Sequence, residues 1–562
     1  MTTHSLPSHS TISHSRISHS KIGLLAVVAF LALISPHSSR AEGDLSKVKH
    51  VIIIMQENHS FDNYFGALAL APGSPYHQPG GQGGKDRDGR DRDGHASGCA
   101  KDDHSCVDGL TCHLDISGNF DCSNSNPDEN GKLVKAFHDT RRCVGPDLDH
   151  GWLSTHREAN FDHPNDTLEN FLANGFVRVN DLTEQIDLPG VEDPTEDQTM
   201  NFYTQNEIPF YYDLAQKFAI DDRYFSSVLG PTFPNRAYLL AATSFGHLTT
   251  SDTFPPTGGY KPITGTILDL LDKSHITWAD YFQDSPQAAV FRSTDPRFLP
   301  LPLFLSQAAA GTLPQVSFVD PNFGLGGVTF ENDEHPPTDI QRGQAYVSAV
   351  VNAVRNGPNW QDSVIFITYD EHGGSYDHVR PPHARQGGQF NPDGISPGQC
   401  ADLSNAPASL QPGGGAECHA NFLSNTDTTV NDAIALCPAL GTNPTGPYPA
   451  ECANFNQLGI RVPLIAISPF SKRHYVSHTV GDHTSLLAFL EKRFLSTGDS
   501  KGDNDADSDH DGKEGNAGSH QHLTKRDQFA NPLEDLFDFE NAPSLGITLT
   551  QAAPPLVDCT PK

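Results

Sequence analysis

The sequence predicts an α/β fold with a central, mostly parallel sheet flanked by helices on both faces. Two observations point there. Strand-length apolar runs alternate with helix-period patterns, and the first run, Val51-Ile52-Ile53-Ile54-Met55, is continuously apolar rather than alternating. A continuous run of that length marks a strand buried on both faces, as in parallel sheets. Further candidate strands lie at 315–319, 364–368 and 463–467. Candidate helices lie at 234–244, 340–356 and 484–494. The last follows Asp482, a good N-cap, and carries Leu486, Leu487, Phe489, Leu490 and Phe494 at helical spacing. A chain of 562 residues organised this way suits one large domain, residues 42–562, better than several small ones.

The first 41 residues read as a signal peptide. Arg16 and Lys21 give a positive start, 22–34 is apolar but short for a bilayer, and Ser39-Arg40-Ala41 fits small-residue cleavage. No Arg-Arg pair precedes the apolar run, which favours the general secretory route and a periplasmic or secreted protein. The Ser-His-Ser repeats at Ser8, Ser13 and Ser18 read as part of the discarded leader. No later segment is apolar enough for a transmembrane anchor. The net charge of −32 argues against nucleic acid and against electrostatic docking on anionic membranes.

Two stretches interrupt the α/β pattern, at about 72–134 and 383–455. Nine of the ten cysteines lie in or near them: Cys99, Cys106, Cys112, Cys122 and Cys143, then Cys400, Cys418, Cys437 and Cys452. Cys559 closes the chain. The spacings match no zinc ribbon or redox motif, so disulfides that staple two surface insertions are expected, with the pairing left open. The acidic stretch 498–518 resembles the first half of a calcium loop, but position twelve counted from Asp507 is Gly518, so the pattern fails. It reads as a solvated acidic loop, as does the repeat at 86–94.

Four polar clusters fall where strands end or helices begin, the edge at which open α/β sheets bind ligands. They are Glu57-Asn58, the run Gly230-Pro231-Thr232-Phe233-Pro234-Asn235-Arg236, the pair Asp370-Glu371 ahead of Gly373-Gly374, and Gly481-Asp482-His483-Thr484. Taken singly, Thr232 is explained by a plain helix cap, Asp370 and Glu371 by a loop, and His483 by capping. Together they place carboxylates, an amide and a hydroxyl at one edge. Those are hard oxygen donors suited to one divalent ion, Ca²⁺, Mg²⁺ or Mn²⁺, with Zn²⁺ also compatible.

The successive motifs ENHSFDNYFG, GPTFPNR, DEHPP, TYDEHGGSYDHVRPP and GDHTSLLAFLEKRF resemble those of the phosphoesterase family, in the family's order. That family includes bacterial and plant non-specific phospholipases C and secreted acid phosphatases, and has an alkaline-phosphatase-like fold. The resemblance covers about 47–66, 147–246, 314–382 and 459–543. It implies that Thr232 is a hydroxyl nucleophile and that Glu57, Asn58, Asp370 and Glu371 hold the metal, with Thr232 completing the shell. It implies that Asn235 and His335 contact phosphoryl oxygens, and that His150, in DLDHGW, is a second phosphate-pocket histidine. His335 and His150 are the candidate acids for the leaving oxygen. Asp377, His378, Asp482 and His483 lie in family motifs without an assigned role. His59 stands where the family commonly has arginine.

The implied function is exported, metal-dependent hydrolysis of phosphate esters by two-step transfer through Thr232. The leading substrate is a phosphodiester of the phosphocholine-lipid type, which makes membrane phospholipid a candidate partner. The alternative is an acid phosphatase acting on monoesters. The chain ends soon after Asp535-Leu536-Phe537-Asp538-Phe539, without the long extension of the large haemolytic phospholipases, which keeps that alternative open. A non-catalytic metal-binding protein is the third reading. A sulfatase is disfavoured, because no Cys/Ser-x-Pro-x-Arg signal appears.

Overall fold

The computed structural model describes residues 44–80, 98–143, 147–180, 196–250, 258–324, 331–384, 391–395, 397, 436–437, 452–496 and 521–555. The leader, both acidic stretches, Cys400, Cys418, Cys559 and most of 383–455 lie outside them. Eight strands form the main sheet: β1 His50–Gln56, β2 Ala219–Asp221, β3 Trp278–Phe282, β4 Phe298–Pro300, β5 Val316–Val319, β6 Ser363–Tyr369, β7 Leu464–Ile467 and β8 Tyr475–Ser477. Their order is β4-β3-β5-β1-β6-β7-β2-β8. All neighbours run parallel except β7, which is antiparallel to both β6 and β2.

The helices that bear on the site are α1 Phe61–Phe65, α2 Trp152–Ala159, α3 Thr232–Ala241, α4 Ile340–Arg355 and α5 His483–Leu490. The four strands expected from the apolar runs are β1, β5, β6 and β7, each within about two residues of its expected ends. Every residue from Val51 to Met55 is wholly buried, so both faces of β1 are covered. Helix α4 starts where the Asp339 carboxylate accepts the Gln341 N–H at 3.0 Å, and it gives way to Asn356-Gly357-Pro358. It buries Val347, Val350, Val351 and Val354. Each such side chain contributes roughly 1.5–3 kcal/mol.

Helix α3 ends at Ala241, because Ala242 takes a left-handed φ of 56° that stops the helix short of residue 244. The expected helix at 484–494 is α5 followed by a π turn over Glu491–Leu495. Its N-terminus is closed by a capping box between Asp482 and Ser485.

Among the described residues, disulfides join Cys99 to Cys106, Cys112 to Cys122 and Cys437 to Cys452, and Cys143 is also disulfide-bonded. Each of the three described pairs closes a short loop within a region expected as an insertion. Among the described residues no helix is long and apolar enough to cross a membrane.

Candidate active site

Strands β1 and β6 are adjacent and parallel, with Gln56 in register with Tyr369. The next residues along each strand are Glu57 and Asn58 on one chain segment and Asp370 and Glu371 on the other, so register alone brings the four side by side. The Asp370 N–H donates to the Gln56 carbonyl at 3.1 Å and continues the ladder into the site. Asn58 takes a φ of 84°, unusual for a residue with a side chain and a mark of a functional turn. Gly373 packs against it so closely that a Cβ there would lie 2.5 Å from the Asn58 Cβ.

Thr232 opens α3, and Arg236 follows one turn later on the same face. The Arg236 guanidinium spans two of the site acids: Nη2 is 2.9 Å from Glu57 Oε1, and Nε is 3.1 Å from Asp370 Oδ2. Nη2 also reaches the carbonyls of Met55 and Gln56, both at 3.3 Å. This residue had no role in the sequence reading. The available signal was its place four residues after Thr232, where a helix turns two side chains to one side.

Asn58 Oδ1 is buried with no hydrogen-bond donor, and Glu371 Oε1 is buried with no donor in hydrogen-bonding geometry, its nearest cationic group being His150 Nε2 at 3.5 Å. A buried acceptor left without a donor costs on the order of 1–3 kcal/mol, so two of them beside three carboxylates fit a cation site. Burial pushes the Asp370 carboxyl well above its usual range; Arg236 opposes this, and Glu57 and Glu371 add to it. A hard divalent ion at this point would relieve the excess negative charge.

His150 lies at the rim. Its Nε2 is 3.5 Å from Glu371 Oε1 and 3.5 Å from Asn58 Nδ2, while its Nδ1–H donates to the Leu148 carbonyl at 2.6 Å. Burial alone would lower its pKa, but Glu371 and Asp147 outweigh that and push it up to about 10. His335 faces it with ring centres 5.9 Å apart. Asp147, His150 and His335 each bring one side-chain donor atom within 4.8 Å of the others. A cavity of about 340 Å³ opens here, lined in part by Asp147, His150, Trp152, Leu248 and Pro231, the residue before Thr232.

The loop that carries His335 is fixed from beneath by Glu334. That residue is wholly buried at a φ of 80° and accepts from the hydroxyls of Tyr64 at 2.6 Å, Tyr369 at 2.6 Å and Tyr211 at 2.5 Å. Gly343 of α4 makes room for it, since a Cβ there would fall 2.0 Å from the Glu334 side chain. His59 Nε2–H donates to the Glu334 carbonyl at 3.0 Å, and the ring stacks on Tyr64. It belongs to the packing beneath the site.

Other sequence candidates are placed differently. The Asn235 side chain is taken up by its own loop: Oδ1 accepts the Val228 N–H at 3.0 Å, and Nδ2 donates to the Gly230 carbonyl at 2.8 Å and the Pro231 carbonyl at 3.2 Å. In this structure it shapes the turn ahead of Thr232, its amide held by the carbonyls of Val228, Gly230 and Pro231. His483 sits behind Asp370, with Nε2 2.7 Å from the Asp370 carbonyl and Nδ1 3.2 Å from the Tyr224 hydroxyl. Burial lowers its pKa to about 4, so it is a neutral prop. Asp482 caps α5 and accepts from Ser227 at 2.9 Å.

Asp377 and His378 belong to a separate buried network. Arg461 bridges Asp377 at 2.9 Å and Asp62 at 3.1 Å, while His378 lies 2.6 Å from Asp62 and 3.3 Å from Asp108. Arg223 pairs with Asp108 at 2.6 Å, and His478 with Asp222 at 2.7 Å.

The Phosphoesterase family profile matches residues 48–495. Over 446 residues the chain is 28% identical to the non-specific phospholipase C6 of Arabidopsis thaliana, covering 76% of this chain and 68% of that one. It is 27% identical over 516 residues to the same plant's non-specific phospholipase C1, covering 88% and 72%. It is 27% identical over 510 residues to the phospholipase C B of Mycobacterium tuberculosis, covering 83% and 78%.

Proposed function

The chain belongs to the Phosphoesterase family, hydrolases of phosphoester bonds, and on that premise we propose that it is an exported, metal-dependent phosphodiesterase of the phospholipase C type, acting through Thr232. The observation that carries this reading is the pair of buried oxygens without donors, Asn58 Oδ1 and Glu371 Oε1, at the edge where α3 presents Thr232. Glu57, Asn58, Asp370, Glu371 and Thr232 would hold one divalent ion, which when bound acidifies a hydroxyl and offsets charge on phosphoryl oxygens.

The chain's own groups then divide the work. Thr232 Oγ1 loses its proton to solvent and attacks phosphorus in line, forming a threonine ester that keeps the phosphorylated head group as the P–O bond to the lipid alcohol breaks. The free N–H groups and dipole of the α3 N-terminus favour the negative charge that gathers there. His150, held cationic between Glu371 and Asp147, adds a fixed positive charge. His335, a quarter exposed beside His150, is placed to protonate the leaving oxygen and then to take a proton from the water that hydrolyses the threonine ester. Asn235 keeps the turn before Thr232 in shape.

The leader-like first 41 residues and the disulfides support export, since such bonds persist in oxidising compartments. The relatives' names support a phospholipid diester as substrate. The deciding experiment compares the rate on p-nitrophenylphosphorylcholine with that on p-nitrophenyl phosphate at matched pH and metal. A strong preference for the choline diester is expected. A preference for the monoester would replace this reading with a secreted acid phosphatase.

A further inference from the structure

Glu371 is gripped from both ends by one helix. His150, just before α2, approaches Glu371 Oε1 at 3.5 Å. Near the other end of α2, Glu158 Oε2 is 2.6 Å from His372 Nε2, and His372 Nδ1 is 3.2 Å from Glu371 Oε2. Glu158, His372 and Glu371 are all essentially without solvent exposure. The Gly373 N–H also donates to Glu371 Oε2, at 2.7 Å. The inner oxygen of Glu371 is therefore occupied, and the outer one, Oε1, has only His150 Nε2 near it, at 3.5 Å and outside hydrogen-bonding geometry.

The far end of this chain is rigid. The Gly175 N–H donates to the Glu158 carbonyl at 3.2 Å, and a Cβ on Gly175 would lie 1.9 Å from the Arg157 carbonyl oxygen, so the 173–175 segment is pressed onto the end of α2. Phe176 meets the His372 ring edge-on at 6.0 Å. Glu158 keeps one buried oxygen, Oε1, without a donor.

We infer that Glu158 is a positioning residue that acts through His372 to fix Glu371 with Oε1 turned toward the cation site. The inference rests on Glu371 being a metal ligand. Neither Glu158 nor His372 touches the reacting atoms. Glu158 is hydrogen-bonded to His372, and His372 Nδ1 makes a 3.2 Å charge contact with Glu371 Oε2 outside hydrogen-bonding geometry, so the pair acts on the ligand's orientation and charge as outer partners that set metal affinity do.

The test is calorimetric titration of the chelator-stripped full chain with MnCl₂, wild type against Glu158→Gln and His372→Gln. Each variant is expected to raise the Mn²⁺ Kd about 10- to 100-fold. The double variant should be little worse than either single one, because the two residues act in series. A folded Glu158→Gln protein with a Kd within about twofold of wild type overturns the inference. So does failure of both single variants to fold, since the pair would then hold the fold and not the ligand. If the wild type takes up no Mn²⁺, the metal-site reading falls and this inference with it; uptake by wild type with unchanged variants brings down the inference alone.

Discussion

Two buried acid clusters lie a few residues apart in the same sequence motif, and they are finished differently. Around Asp377 every carboxylate oxygen of Asp62, Asp108, Asp222 and Asp377 has a partner: Arg223, Arg461, His378, His478 or a backbone N–H. Around Asp370 and Glu371, two buried oxygens are left over. Three ligand-type groups of the first cluster, Asp62, Asp377 and His378, are close enough together to suggest a metal, yet their lone pairs are already spent on fixed cations and amides. Proximity of acids therefore does not separate a ligand set from a strut; these two clusters differ in unmet hydrogen-bonding capacity.

The comparison breaks first at Thr232. Thr232→Ala should lower turnover about 10⁴-fold with no loss of melting temperature, measured by steady-state rates and thermal denaturation on the same sample. Retained activity in the folded variant would sink the nucleophile assignment. Arg461→Met should do the reverse. It strands Asp62 and Asp377 in the interior and should cost about 3–5 kcal/mol in denaturant unfolding, while activity per folded molecule stays within about twofold.

Asp370→Asn sharpens the same contrast within the site. Burial with Glu57 and Glu371 nearby makes the Asp370 charge unfavourable without a cation, despite Arg236. The variant should lose activity about 10²-fold, yet the chelator-treated protein should melt no lower than chelator-treated wild type. A lower melting point would show Asp370 to be a strut.

The smallest expected effect is a pH dependence in the second cluster. Burial would lower the His378 pKa, but Asp62 and Asp108 outweigh it and raise it from 6.5 to about 10. A histidine raised in the folded state contributes stability fully present below its unfolded pKa and lost as pH climbs through the folded one. Wild type should therefore lose on the order of 2 kcal/mol between pH 7 and pH 10, and His378→Gln should show a flatter profile over that window. Equal slopes would remove His378 from the network's energetics.

Much of the site was legible because parallel, two-face-buried strands are written as continuous apolar runs, and the residues after β1 and β6 are then at the ligand edge by rule. The edge strands β4 and β8, and their neighbours β3 and β2, were not legible. Ala219–Asp221, Phe298–Pro300 and Tyr475–Ser477 are too short for a pattern, and Trp278–Phe282 carries a buried Asp280 where an apolar residue would signal a strand. The antiparallel sense of β7 was hidden for another reason: an apolar run reads the same in both directions. Glu158 and the Asn235 turn were missed because each acts through partners distant in sequence or through backbone carbonyls, which leave no mark in residue spacing; Arg236 was marked only by its place four residues after Thr232.

The most direct test is to trap the covalent step. The protein is mixed with excess p-nitrophenylphosphorylcholine, quenched in acid within the first turnovers, digested and sequenced by mass spectrometry. One phosphorylcholine group on Thr232, absent from Thr232→Ala, is the expected result. Phosphorylcholine label on any other residue, or none while Thr232→Ala still turns over, would contradict a threonine nucleophile at this edge.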